Sequence, residues 1–203
     1  SCNASLSTQW GTHAVTVGAG GAAVPGSYSC GIKGANSTFS TITSIGGGYG
    51  AQYFGAPAGP GGPGGSGGGG GGGGSSTSCA TAGQGNAGGS APNPNYAGGG
   101  GGAGAVGGTF NPAPASGAGG KGIVILRSSQ YMSTDSACAP VQSPDGGTGT
   151  FIAEFKASAN LTVGNTPSIA LDYLVVGGGG GGGFNQGGGG GAGGYRTSFP
   201  GGT

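Results

Sequence analysis

Leu171-Asp-Tyr-Leu-Val-Val176, followed directly by the seven glycines Gly177 to Gly183, is the stretch that decides the fold. Its first part is rich in β-branched and aromatic residues and has the length of one β-strand. Its second part has no side chains and therefore no apolar face to bury. Similar strand-like runs alternate with glycine tracts elsewhere, at His13–Val17, Ser37–Thr43, Gly122–Leu126 and Thr150–Phe155. These runs predict an all-β framework with glycine-rich segments between its strands.

Glycine dominates the composition, with 61 of the 203 residues, while only 4% of the residues are charged. Collagen needs glycine at every third position, and the tracts Gly67–Gly74 and Gly177–Gly183 break that period. A disordered chain is the alternative, because glycine loses more backbone freedom on folding than any other residue. The strand-like runs, the four cysteines and a net charge of only +1 oppose disorder. We therefore expect an ordered chain.

The glycine tracts are predicted to form extended helices of the polyglycine-II or polyproline-II type, since glycine and proline both disfavour the α-helix. Such a helix has three residues per turn and rises about 3.1 Å per residue, so Gly67–Gly74 would span about 25 Å. It has no internal hydrogen bonds, and its amides and carbonyls must bond to neighbouring segments or to water. The predicted fold class is all-β with polyglycine-II-type helices, short strands and essentially no α-helix.

Three groups of motifs carry a resemblance to a known kind of domain. The first is Asp172–Val176 with its glycine run, continued by Gly187–Arg196. The second is Ala14–Gly21 with Asn36–Phe39 and Thr41–Thr43, and the third is Gly120–Arg127. These groups resemble the opening, the middle and the closing strand of the glycine-rich domains of phage tail-fibre and adhesin proteins and of environmental bacterial surface proteins. The resemblance implies a structural or receptor-binding module and not an enzyme.

The order of these motifs is circularly permuted, because the opening motif lies at the C-terminal end. Residues 1–127 carry the middle and closing parts, residues 128–149 are predicted to be a linker, and residues 150–203 carry a strand lead-in and the opening part. One chain could close on itself, the 203 residues could be one period of a longer tandem repeat, or they could be an ordinary domain fragment. We favour a polymer in which residues 150–203 complete the glycine-rich domain of the next subunit or repeat. Head-to-tail contacts of this kind generate open filaments unless their rotation closes a ring.

Side chains suited to catalysis are scarce. His13 is the only histidine, and it lies in a predicted strand. The four acids are too dispersed to propose a carboxylate pair; they are Asp135, Asp145, Glu154 and Asp172. Glycine patterns of the GxGxxG kind arise by chance in glycine tracts, and no strand–helix context accompanies them here. We therefore predict that the protein is not an enzyme and has no catalytic, cofactor or metal site.

Charge and hydropathy exclude two further classes of partner. A surface that follows nucleic-acid phosphates needs a stripe of cations, whereas the five cations are scattered; they are Lys33, Lys121, Arg127, Lys156 and Arg196. The longest apolar run, Leu171–Val176, has strand length and falls far short of the roughly 20 residues that span a bilayer. We expect no nucleic acid and no membrane span.

Four cysteines predict disulfide bridges, because their number is even and no CxxC spacing suggests a metal site. Three pairings within one chain are open, of which we prefer Cys2 with Cys30 and Cys79 with Cys138. Cys138 is also a candidate for a bridge between subunits, because it lies in the predicted linker. The bridges indicate an extracellular location, either secreted or on a cell or virion surface.

Two sets of residues are candidate surface sites. N-x-S/T sequons make Asn3, Asn36 and Asn160 candidates for glycosylation. Five aromatic residues in or beside glycine-rich loops are candidates for recognising a receptor or a sugar by stacking, although packing against the glycine layers is the preferred interpretation. They are Tyr49, Tyr53, Phe54, Tyr96 and Phe184.

Together these features predict an extracellular structural subunit that polymerises head-to-tail into a filament, with itself as the partner. The alternative is a phage tail-fibre adhesin that recognises a surface receptor or glycan on its host through loops between the glycine helices. An ice-binding glycine-helix protein is a third hypothesis, which is disfavoured because regular Gly-X-X repeats are missing over most of the chain.

Overall fold

The computed structural model describes residues 6–22, 24, 29–52, 59–73, 77–92, 97–102, 105–108, 120–134, 141–144, 149–184 and 187–199. Within these residues the chain forms nine β-strands and no helix, which confirms the predicted all-β class. The strands are β1 (Leu6–Thr16), β2 (Ser37–Phe39), β3 (Ile42–Ser44), β4 (Ile123–Ser128), β5 (Met132–Thr134), β6 (Val141–Pro144), β7 (Phe151–Phe155), β8 (Ala159–Val176) and β9 (Tyr195–Thr197).

Strand β8 is shared by two antiparallel sheets. Its last residues lie between β4 and β9, and the first sheet continues beyond β4 with β7 and β6. Its earlier residues lie between β1 and β5, and the second sheet continues beyond β1 with β2 and β3. The 18 residues of β8 are enough to serve both sheets in turn.

One hydrophobic core lies against both sheets, and the alternation of side chains decides which residues enter it. In β4, Val124 and Leu126 are fully buried, whereas Ile123 and Ile125 are half-buried on the opposite face. The β8 residues paired with Val124 and Leu126 are Val175 and Tyr173, and both are buried. The second sheet contributes Val15, Phe39, Leu161, Val163 and Leu171 to the same core.

All five strand-like runs of the sequence form strands. The run Ser37–Thr43 forms a hairpin of β2 and β3 whose turn contains Ser40 with φ of 51°. The run that ends at Val176 is the last part of β8, which begins much earlier than the run does. Strands β5, β6 and β9 were not predicted, and the first two lie within residues 128–149, the predicted linker.

The glycine-rich segments are joined to one another by backbone hydrogen bonds. We call these segments the glycine lattice and define it as residues 17–22, 29–36, 45–52, 59–73, 77–92, 97–102, 105–108, 177–184 and 187–194. The lattice continues directly from the sheets, because residues 177–184 follow β8 and residues 187–194 precede β9. The helical form of its segments stays a prediction.

Candidate functional site

Residues 177–184 show the bonding pattern of the glycine lattice most clearly. Every third N–H group from Gly177 to Gly183 donates to a carbonyl in residues 187–194, over 2.8 to 2.9 Å. One residue further along each time, the N–H groups of Gly178, Gly181 and Phe184 donate to carbonyls in residues 29–36, over 2.8 to 3.3 Å. The carbonyls of Gly178 and Gly181 accept N–H groups from residues 45–52 over 2.8 and 3.0 Å. This segment therefore returns to the same neighbour at every third residue.

The spacing of three continues into other parts of the lattice. Gly48 and Ala51 donate to carbonyls in residues 59–73 over 2.9 and 3.0 Å. Gly67 and Gly70 donate in turn to carbonyls in residues 77–92 over 3.0 and 2.9 Å. Segments that lie far apart in the sequence thus form one continuous hydrogen-bonded network.

Glycine is required inside this network because neighbouring backbones occupy the space that a side chain would need. A Cβ atom on Gly180 would overlap the carbonyl oxygen of Gly48 and would lie 2.8 Å from the carbonyl oxygen of Gly47. A Cβ atom on Gly47 would lie 2.7 Å from the backbone nitrogen of Gly180. Separations this short lie well inside normal contact distances of about 3.5 to 4.0 Å. The pure glycine tracts are therefore the interior of the lattice.

Side chains appear where the lattice meets solvent. In residues 17–22, Ala19 and Ala22 are exposed while Gly18 and Gly21 are buried. In residues 29–36, Ile32 and Ala35 are exposed while Gly31 and Gly34 are buried. The N–H group of Ala35 donates to the carbonyl of Ala19 over 2.9 Å, so these two outer segments are neighbours. The glycine and non-glycine positions of a segment thus mark its inner and outer sides.

Three side chains hold the hairpin of β2 and β3 in place against the lattice and the end of β8. The Ser37 hydroxyl accepts the N–H group of Gly18 over 2.9 Å and donates to the carbonyl of Val176 over 2.6 Å. Ser44 donates its hydroxyl to the carbonyl of Val175 over 2.5 Å, and both serines are fully buried. Both serines lie in the hairpin of β2 and β3, and both donate to carbonyls at the end of β8. Their hydroxyl groups therefore fix the hairpin against the end of β8.

Gln84 is the third attachment, and it is 3% exposed. Its Oε1 atom accepts the N–H group of Ile45 over 2.8 Å, and its Nε2 atom donates to the carbonyl of Thr43 over 3.4 Å. Its backbone carbonyl accepts the N–H group of Tyr195 over 3.1 Å. The amide of Gln84 therefore pairs with the edge of β3 as a backbone peptide group would, and it also holds the start of β9.

The N-terminal and C-terminal parts of the sequence complete one structure within this chain. The opening motif at the end of β8 pairs with the closing motif in β4, with Val176 opposite Ile123 and Leu174 opposite Ile125. Strand β8 also pairs with β1. The described residues of 150–203 thus supply two lattice segments and three strands to a structure whose remaining lattice segments come from residues 1–127.

Two clefts border the lattice where it meets the sheets. One has a volume of about 370 Å³ and lies beside β3 and β9, with Gln84 and Arg196 in its lining. The other has a volume of about 410 Å³ and lies on the outer face of the first sheet, where Leu174, Val176 and Tyr195 meet the lattice. The first cleft contains a buried amide and a guanidinium group, and it is therefore the more polar candidate for a binding site.

The predicted disulfide positions are only partly within the described residues. Cys30 is half-buried in the lattice and Cys79 is exposed, and the two are not bonded to each other. Cys2 and Cys138 lie outside the described residues, so both preferred bridges stay predictions.

The candidate glycosylation and recognition residues also lie apart from one another. Asn36 is exposed, and its Oδ1 atom accepts the N–H group of Gly46 over 2.9 Å. Asn160 is half-buried in β8, opposite Ala14. Tyr49 is half-buried with its ring against Gly62, and Phe184 is half-buried at the end of its lattice segment. Asn3, Tyr53, Phe54 and Tyr96 lie outside the described residues.

The ionisable side chains have structural neighbours. The His13 ring meets the Phe39 ring edge-on, with centroids 6.5 Å apart. Asp172 accepts the hydroxyl of Ser198 over 3.0 Å, and Glu154 forms an ion pair with Lys156 at 3.3 Å. In the part of the chain that the structure describes, no three His, Cys, Asp or Glu side chains gather as metal ligands would. The same part contains no helix of the length and hydropathy that cross a membrane.

Comparison with protein-family models, with curated proteins and with solved structures finds no match to this chain. The resemblance to glycine-rich domains of tail fibres and surface proteins therefore stays a prediction from the motifs. Sequence reasoning did not identify Ser37, Ser44 and Gln84 as attachment residues. The sequence carries no local signal for them, because each acts on a backbone group far away in the chain.

Proposed function

We propose that the protein is an extracellular structural subunit that polymerises head-to-tail into a filament. In this proposal, residues 150–203 of one subunit complete the glycine-rich domain of the next one. The observation that carries the proposal is the hydrogen-bonded network that joins residues 177–194 to residues 29–52. Its work is mechanical, and its partner is another copy of the same chain.

The glycine lattice is, in the same proposal, a bundle of polyglycine-II helices. A helix of this type has three residues per turn, so each lateral neighbour receives a hydrogen bond at every third residue. The spacing of three along residues 177–184 supports this assignment. Only pure glycine allows such a helix to have neighbours on every side, which explains the buried tracts.

Head-to-tail assembly would use the contacts that this single chain makes internally. Strand β8 pairs with β1 and β4 from the other end of the sequence, and nothing in backbone pairing distinguishes one chain from another. Exchange of an identical element between protomers is an economical route to assembly, because no new interface is needed. The small number of charges, with a net charge of +1, adds little repulsion between subunits.

A disulfide trap between β4 and β8 tests the proposal. Ile125 and Leu174 are cross-strand partners on the outer face of the first sheet, where both are half-buried. The double variant Ile125→Cys with Leu174→Cys would be assembled, imaged by electron microscopy and then oxidised. Denaturing gels without reductant would separate the products by covalent length. The wild type and the single variant Ile125→Cys serve as controls for links through the native cysteines.

Filaments with a regular repeat, and a covalent ladder seen only in the double variant, are the expected results. Monomers that are cross-linked internally, in a sample without filaments, would show that the chain closes on itself and would overturn the proposal. Monomers or compact trimers that bind cells would overturn it in favour of the adhesin alternative. Deleting residues 150–203 should abolish filaments, and polymerisation that survives this truncation would refute completion by this segment.

A further inference from the structure

We infer that the cleft beside β3 and β9 is a binding site for a small ligand that carries a carboxylate group. The inference goes beyond assembly, because it assigns this chain a ligand. The cleft has a volume of about 370 Å³. Small-molecule sites range from about 300 to 1,000 Å³, so this cleft suits a ligand of about one sugar ring. The described residues that line it are Thr41, Ile42, Thr43, Ile45, Gln84 and Arg196.

Arg196 gives the cleft its preference for an acid. Its side chain is half-buried on β9, and within the described residues its guanidinium group forms no hydrogen bond or ion pair. The two described acids are engaged elsewhere, Glu154 with Lys156 and Asp172 with Ser198. A partly desolvated guanidinium group is costly without an acceptor. A carboxylate satisfies it best, because two parallel hydrogen bonds match the planar fork.

The remaining walls supply polar and apolar contacts. Thr41 and Thr43 are exposed and carry hydroxyl groups that can donate or accept. Gln84 is held in place by its bonds to Ile45 and Thr43, so this wall is already organised before a ligand arrives. None of the described residues that line the cleft carries an aromatic ring, so these walls give a neutral sugar no stacking surface. The charge on the ligand is therefore the main source of affinity.

The position of the cleft links ligand binding to the completed fold. Thr41 to Ile45 and Gln84 come from residues 1–127, whereas Arg196 comes from residues 150–203. The lining is complete only when these two parts of the sequence are paired, whether within one chain or between subunits. Arg196 would recognise the carboxylate group of a simple carboxylic acid and that of an acidic sugar in the same way. The experiment below distinguishes these two kinds of ligand.

The test titrates the full-length protein with glucuronate, acetate and glucose by isothermal calorimetry. We expect saturable binding of glucuronate and none of glucose. Equal affinity for acetate would identify a simple carboxylate site, whereas weaker binding of acetate would show that the hydroxyl groups of an acidic sugar also contribute. Either result supports the inference.

Arg196→Met should weaken glucuronate binding at least tenfold, because the variant loses both the positive charge and the paired N–H donors of the guanidinium group. Arg196→Lys should also weaken it, since the charge remains but the bidentate geometry does not. Lys33→Met removes one positive charge from an exposed position outside the cleft and should leave binding unchanged. Equal losses in Lys33→Met and Arg196→Met would reduce the effect to general electrostatics and overturn the inference.

A second measurement on the wild type guards against variants that fail to fold. Glucuronate should shift the NMR signals of Thr41 and Thr43 in a saturable way, at concentrations where glucose does not. Binding of glucose with the same affinity as glucuronate, or the absence of any shift at Thr41 and Thr43, would overturn the inference.

Discussion

Replacing one interior glycine by alanine should destabilise the protein strongly, and Gly180→Ala is the sharpest case. The added Cβ atom would overlap the carbonyl oxygen of Gly48 and lie 2.7 Å from its carbonyl carbon. Because normal carbon contacts are about 3.5 to 4.0 Å, the backbone of residues 47–48 must move by about 1 Å. That backbone donates to Gly178 and Ser66 over 2.8 and 2.9 Å and accepts from Gly191 over 2.8 Å.

The expected loss follows from these bonds. Leaving two buried backbone groups unpaired costs about 1 to 3 kcal/mol each, or about 2 to 6 kcal/mol together. Alanine restricts the unfolded chain and returns about 0.4 to 1 kcal/mol of this loss. The net destabilisation of about 1 to 6 kcal/mol is a large fraction of the roughly 5 to 15 kcal/mol that is typical of a folded domain.

Unfolding in guanidinium chloride, followed by far-UV circular dichroism, would measure this change. Gly108→Ala is the matched control, because Gly108 is also a lattice glycine, is exposed and has no atom within 4 Å of an added Cβ. We expect the control to lie within about 1 kcal/mol of the wild type. Equal midpoints for Gly180→Ala and Gly108→Ala would refute the assignment of residues 177–184 to the interior of the lattice.

Two further predictions concern the core and the cysteines. Among the described residues, the buried hydroxyl of Tyr173 has no hydrogen-bond partner. Tyr173→Phe should therefore stabilise the protein by about 1 kcal/mol and raise its melting temperature by about 2 to 4 °C. A lower melting temperature for this variant would contradict the prediction. The disulfide prediction requires that all four cysteines resist alkylation until the protein is reduced and that peptide mapping recovers Cys2 with Cys30 and Cys79 with Cys138. Alkylation of all four cysteines before reduction would exclude the bridges. A mass twice that of one chain, which returns to the mass of one chain on reduction, would place one bridge between subunits.

The strands that could be predicted are those whose own residues carry the signal. The β4 sequence alternates between buried and half-buried apolar positions, and the hairpin at Ser37–Thr43 is rich in β-branched residues. Strands β5 and β9 are three residues long, which is too short to show alternation. Both strands form because each pairs with a part of β8. The sequence around β5 and β9 does not reveal that β8 is their partner.

The binding cleft was beyond sequence reasoning for a related reason. Arg196 was one of five scattered cations, and its significance depends on Thr41, Thr43 and Gln84 lying beside it. The side-chain amide of Gln84 bonds to backbone groups at the edge of β3, where a neighbouring strand would otherwise bond. The position of Gln84 beside β3 depends in turn on how the lattice packs. The chemical types of these residues are visible in the sequence, whereas their proximity arises only when the ends of the chain pair.

The burial of bare backbone inside the glycine lattice also sets how the protein should respond to temperature. On unfolding, newly exposed apolar surface raises the heat capacity by about 0.45 cal/mol/K per Å², whereas polar surface lowers it by about 0.26. The lattice exposes mainly amide groups on unfolding, so the increase must come largely from the hydrophobic core that lies against both sheets. A small heat-capacity change flattens the curve of stability against temperature. Stability held by amide hydrogen bonds should therefore fade less on cooling than stability held by hydrophobic burial.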